Sequence, residues 1–156
     1  MTKKIMQLSA VILLIGIQFI QAQSLSKKDI QKIEEEIDYI FQDMIKLAEN
    51  LDYDELNKGV DDSKQAGFIV NGNYYANFDS LMKVMNIGLK GLEGQVISVA
   101  KQKITVLAKD IALVTAYGEA NINLTDRDPI IRKFFWTFVY MKINDTWLVV
   151  QSHQSN

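Results

Sequence analysis

The chain carries one imidazole, His153, and no thiol. Histidine changes charge near neutral pH and is the commonest general acid or base. Read for catalysis, His153 takes or gives a proton at a pocket mouth, with Thr137 or Tyr53 beside it. Read for structure, it is a packed, hydrogen-bonded residue at the end of the last strand. A single histidine without cysteine rules out a multi-histidine or thiolate metal site within one chain, and thiol catalysis with it. Asp61 and Asp62, with Asp52 and Asp54 upstream, fit no calcium-loop spacing and read as helix-end caps. Trp147 either stacks on a ligand ring or packs the core. No metal and no cofactor are expected.

These residues need a frame. Ile30, Ile33, Ile37, Ile40, Phe41, Met44, Leu47 and Leu51 recur at helical spacing, so the sequence predicts a long helix from Ser26 to about Asn50. Ser26 caps it, with Asp29 three residues on. A second short helix runs from Asp52 to Lys58 and stops at Gly59. Asn71-Gly72 is a hairpin signal between Ala66–Val70 and Asn73–Phe78, because both central residues of that turn need positive φ. Asp79 is expected to cap a third helix reaching about Asn86. Gly88, Gly91 and Gly94 break the chain after it and lack the Lys-Ser/Thr pair of a phosphate loop.

From Gln95 the pattern changes to long strands: Gln95–Ala108, Ile111–Leu124, Ile131–Ile143 and Trp147–His153. A loop over Thr125–Pro129 separates the second from the third. Short links make the four antiparallel neighbours. Helices first and a long antiparallel sheet afterwards give an α+β domain. Asn123-Leu124-Thr125 and Asn144-Asp145-Thr146 match a glycosylation pattern but read as turn chemistry.

The N-terminus reads as a secretory signal peptide. Lys3 and Lys4 precede an apolar run, Ile5–Ile20, and small residues lie where a peptidase would cut, after about Ala22. The run is short for a membrane span of about 20 residues. No cysteine follows it, so a lipoprotein anchor is excluded. The expectation is residues 1–22 as signal and 23–156 as one domain, periplasmic or extracellular, with no stable membrane anchor after cleavage. The formal charge of −2 becomes −4 once Lys3 and Lys4 are lost, since no acidic residue goes with them. A mildly acidic chain without a basic tract argues against nucleic acid as partner.

Side chains alternate along a strand, so each strand offers two faces. Ala112, Val114, Ala116, Gly118 and Ala120 make one small-residue face. Along the next strand Phe135, Thr137, Val139 and Met141 alternate with Phe134, Trp136, Phe138 and Tyr140, and both sets are apolar. A sheet with one wet face alternates with polar residues. Here both faces call for cover, and one chain's helices cover only one. The other is expected to meet a second copy.

In this order the pieces resemble the NTF2-like superfamily, and within it the secreted SnoaL-like and DUF4440-like proteins. The resemblance rests on the long first helix, Leu51-Asp52-Tyr53, Phe68-Ile69-Val70-Asn71-Gly72 and Asp110-Ile111-Ala112-Leu113-Val114-Thr115. It continues through Thr137-Phe138-Val139-Tyr140, the Asn144-Asp145 turn and Trp147-Leu148-Val149 to His153-Gln154-Ser155. It implies a cone: helices packed on a curved antiparallel sheet around an internal pocket. Ile37, Phe41, Tyr53, Val114, Thr137, Val139, Trp147, Val149, Gln151 and His153 would then line the pocket, with Ala112 inward as well. Tyr117, Trp136, Phe138 and Tyr140 would form the outer, homodimer face. The resemblance carries two function classes. One is a secreted module that binds a small apolar or amphipathic molecule. The alternative is an isomerase, dehydratase or hydrolase with His153 as general base. The small inward residues supply no carboxylate, which favours the first.

Overall fold

The computed structural model describes residues 25–156, so the expected signal segment lies outside the described residues. Helix α1 spans Lys27–Glu49 and is capped by Ser26, whose Oγ accepts from the Asp29 backbone N–H. Its stripe of Ile33, Ile37, Phe41 and Ile45 is buried. Each such side chain is worth about 1.5–3 kcal/mol on leaving water. Helix α2 is Tyr53–Asn57, with Asp52 as its cap. Strands β1 (Phe68–Val70) and β2 (Asn73–Tyr75) form the expected hairpin, with Asn71 and Gly72 both at positive φ.

Helix α3, Phe78–Gly88, starts earlier than the sequence indicated. Its cap is Asn77, whose side chain accepts from the Ser80 N–H at 2.9 Å, while Asp79 sits in the first turn. The long strands are β3 (Leu92–Ala108), β4 (Ile111–Leu124), β5 (Arg127–Ile143) and β6 (Thr146–Ser155). The expected loop at Thr125–Pro129 is a tight turn. Asp128 and Pro129 together face Asn123 in a register shift at the start of β5, a one-residue bulge of the kind that tolerates a proline.

The strands form one curved six-stranded sheet in the order β2-β1-β6-β5-β4-β3. The four long strands are antiparallel as expected, but β1 lies parallel to β6, so the sheet is mixed. The α+β architecture stands. Helix α1 lies against one face, where Ile37, Phe41, Ala112, Val114, Phe138, Tyr140, Trp147 and Val149 share a buried cluster.

Candidate functional site

Cross-strand register decides which residues share a face, and a one-residue slip reverses it. Leu124 pairs with Arg127 at the β4–β5 turn. Without a bulge this ladder would set Val114 opposite Thr137. The register shift between Ile122 and Leu124 instead sets Val114 opposite Phe138 and Ala112 opposite Tyr140. A second shift, at Val150, follows Tyr140↔Val149 with Val139↔Gln151 and Thr137↔His153. Trp147 and Val149 therefore stay on the helix-covered face, and Gln151 and His153 pass to the other.

The expected pocket lining is corrected accordingly. Ile37, Phe41, Val114, Trp147 and Val149 are brought together inside. Thr137, Val139, Gln151 and His153 lie on the convex face, in register with one another. Trp136, Phe138 and Tyr140, assigned to the outer face, point to α1: the Phe41 and Phe138 rings are 6.2 Å apart, and Tyr140 Oη lies 4.0 Å from Met44 Sδ. Tyr117 is outward as expected, stacked on Phe135 with centroids 6.3 Å apart.

The concave side is filled by the chain's own aromatics. Phe134 stacks on Trp136 at 3.8 Å, and Gly118 is the floor that admits them. A Cβ there would strike the Ser98 carbonyl oxygen and stand 2.8 Å from Phe134 Cζ. Burial holds the Tyr140 phenol well above its ordinary range, because a phenolate has nothing to solvate it there.

Polar side chains fasten α1 around this interior. Glu36 Oε2 accepts from Trp147 Nε1 at 2.8 Å and from Lys142 Nζ at 3.4 Å, and Lys142 Nζ lies 5.5 Å from the Trp147 ring centroid. Chiefly the indole N–H holds the Glu36 carboxyl below its usual range, with Lys142 adding to it against partial desolvation. At the other end Gln95 Nε2 donates to the Ala48 carbonyl at 2.7 Å and to Tyr53 Oη at 3.1 Å. Burial raises the Tyr53 phenol, and the Gln95 bond opposes this. Glu49 Oε1 accepts from the Ile97 N–H of the edge strand at 2.7 Å, and Gln102 bridges Asp38 and Gln42. Asp62 Oδ2 accepts from Phe78 N at 2.8 Å, at the start of α3, while its Oδ1 is buried with no protein donor among the described residues. None of Glu36, Gln95, Gln102 or Phe135 was singled out from sequence. A helix periodicity marks Glu36 only as polar, and register alone places Phe135.

Two open grooves of about 400 Å³ each run between α1 and β3. One is lined by Gln42, Ile45, Ile97, Val99 and Gln102. The other is lined by Gln31, Glu34, Glu35, Asp38 and Ile104. The convex face is different in kind. Tyr74, Ile69, His153, Thr137, Thr115 and Lys103 make one register row across all six strands. Leu113, Val139 and Gln151 make the next row, and Tyr117 with Phe135 the row on the other side. Tyr117 and Phe135 are 47% and 54% exposed, so this centre is uncharged, apolar and open.

No protein-family model matches the sequence, and no curated protein matches it. Solved structures do match. An NTF-2 like protein of unknown function from Shewanella oneidensis MR-1 superposes with a TM-score of 0.62 at 16% identity, over 79% of this chain and 98% of its own. The chain has the NTF2-like fold. Its neighbours in that fold do different things. A hexachlorocyclohexane dehydrochlorinase, LinA-type3 from Novosphingobium barchaimii LL02, superposes at 0.67 with 15% identity, over 83% and 89% of the two chains. The association domain of C. elegans CaMKII superposes at 0.65 with 12% identity, over 83% and 99%. At these identities the NTF2-like fold is shared, and activity does not follow from it.

Proposed function

We propose that this chain is a secreted, self-associating NTF2-like module whose convex sheet face seats a second copy. The observation that carries this is the register. It places Leu113, Thr115, Tyr117, Phe135, Thr137, Val139 and Met141 together on the face that α1 leaves bare. An antiparallel face turned to water alternates with polar residues, and this one lacks charge at its centre. Lys101 and Lys103 border it on the β3 side, and Glu119 and Lys133 border it at one end. The association domain that shares the fold supports the same reading. Export rests on the apolar N-terminal run after Lys3 and Lys4.

A second element of the reading is a ligand. The filled interior turns attention from the cone to the α1–β3 groove, where Ile45, Ile97 and Val99 meet Gln42 and Gln102. That mixture suits a small amphipathic molecule. That His153 is exposed on the convex face, away from the interior under α1, supports the binding reading over the enzymatic alternative.

Sedimentation equilibrium of the mature chain tests the association. The wild type is expected as a dimer, and Val139→Glu as a monomer with an unchanged far-UV spectrum. A wild type that stays monomeric at tens of micromolar sinks the reading.

A further inference from the structure

We infer that His153 makes this association sensitive to acid: the second copy is held near neutral pH and released when the imidazole is protonated. The inference rests on the association proposed above and adds its regulation. His153 stands on the third of six strands, inside the bare face rather than at its rim. Its register neighbours are Ile69 on β1 and Thr137 on β5. Along its own strand the same face carries Gln151 and Ser155, and diagonally it meets Phe135 and Val139. None of these is charged, so no group on either strand packed beside it can compensate an imidazolium.

The ionisable groups of this face are farther off. Lys103 shares the register row but is three strands away, about 14 Å at the usual strand spacing. Lys133 and Glu119 pair with each other four residues along from Thr137 and Thr115, which puts them about 14 and 16 Å from His153 at the usual rise and spacing. Lys101 lies beside Tyr117, and Tyr74 shares the row from β2. At these separations exposed charges are largely screened at physiological salt, and Glu119 has Lys133 opposite it.

In the free chain His153 is exposed, so water solvates either form of the ring. Covered by a second copy, the neutral ring loses little, while the charged ring loses its water and finds no counter-ion on the strands beside it. The covered state therefore binds fewer protons than the separated one, and protonation favours separation by linkage. Both copies carry the residue, so each association covers two imidazoles. Histidine is the side chain whose charge ordinarily changes between pH 5 and 8.

The experiment is sedimentation equilibrium of the mature wild-type chain and of His153→Gln, at pH 8.0 and 5.5, with circular dichroism at both. Gln keeps a polar side chain of similar reach and cannot be charged. The expected result is a dissociation constant for the wild type at least tenfold higher at pH 5.5 with an unchanged spectrum, while His153→Gln dimerises equally at both. A wild type that dimerises equally at both values overturns the acid switch and leaves the association standing. A pH-dependent His153→Gln assigns the effect to another group and overturns it too. Tighter association in acid would mean that the second copy brings a carboxylate, such as its Glu119, onto His153, the reverse of the inference. A monomer at both values removes the association itself and the switch with it.

Discussion

At the scale of single residues, the chemistry of this chain depends on what each polar group touches. Trp147 invites the reading of a stacking platform, but its indole N–H is committed to Glu36 and its ring is covered. Trp147→Phe removes the donor and one ring of a buried indole, so it should cost about 2–4 kcal/mol, from the lost hydrogen bond to a carboxylate together with the lost packing. The same change should raise the Glu36 pKa toward the ordinary carboxylate value. The folded pKa is depressed, so the stabilisation is present above the unfolded pKa and is lost as pH falls through the folded one. Urea titrations of wild type and Trp147→Phe from pH 7 to pH 3 check this. The gap should narrow in acid by the hydrogen-bond part and keep its packing part, and a gap that does not change with pH would mean that the loss is packing alone. The type of these residues was legible in the sequence. The partner was not, because Glu36 and Trp147 are 111 positions apart and only the packing of α1 on the sheet joins them.

At the scale of elements, the local signals were strong and the irregularities were silent. Helix α1 was legible because eight apolar residues repeat at one period, and the β1–β2 hairpin because Asn-Gly suits positive φ. Helix α3 starts two residues before the position that Asp79 suggests, since Asn77 and Asp79 are both good caps and only the fold chooses. Asn77→Ala should destabilise the protein by about 1 kcal/mol through the lost cap. Hydrogen exchange should quicken in Phe78–Leu81 before it does elsewhere, and uniform quickening would mean that α3 and the sheet open together. The bulges left no mark that alternation could reveal. Gly118 is the one visible trace, a small residue opposite the Val99/Lys101 shift. Gly118→Ala presses a methyl into the Ser98 carbonyl and should cost about 2–3 kcal/mol, in the range for overpacking. A thermal melt within a degree of wild type would show that β3 relaxes freely there.

At the scale of the whole molecule, two hidden bulges exchanged the faces of the sheet. The fold was legible in the order of the elements. The inside and outside of β5 were not, because both of its faces are apolar and nothing in the strand tells them apart. The consequence is a contrast between neighbours in sequence. Trp136 stacks on Phe134 and packs against the buried cluster, whereas Phe135 is open on the other side. Trp136→Glu puts a charge among aromatics with no partner, which a core does not tolerate without several kcal/mol of loss. Phe135→Glu puts the same charge in water and costs the isolated chain about 0.5 kcal/mol or less. Trp136→Glu should therefore melt early or fail to fold. Phe135→Glu should keep the wild-type melt at low concentration, where both are monomers, and lose the concentration dependence that an associating wild type shows. The reverse pattern, with Trp136→Glu folded and monomeric, would turn the faces of β5 around and remove the bulge between β4 and β5. A melt of Phe135→Glu that still rises with concentration would leave the register intact and place the second copy on a surface other than the convex face.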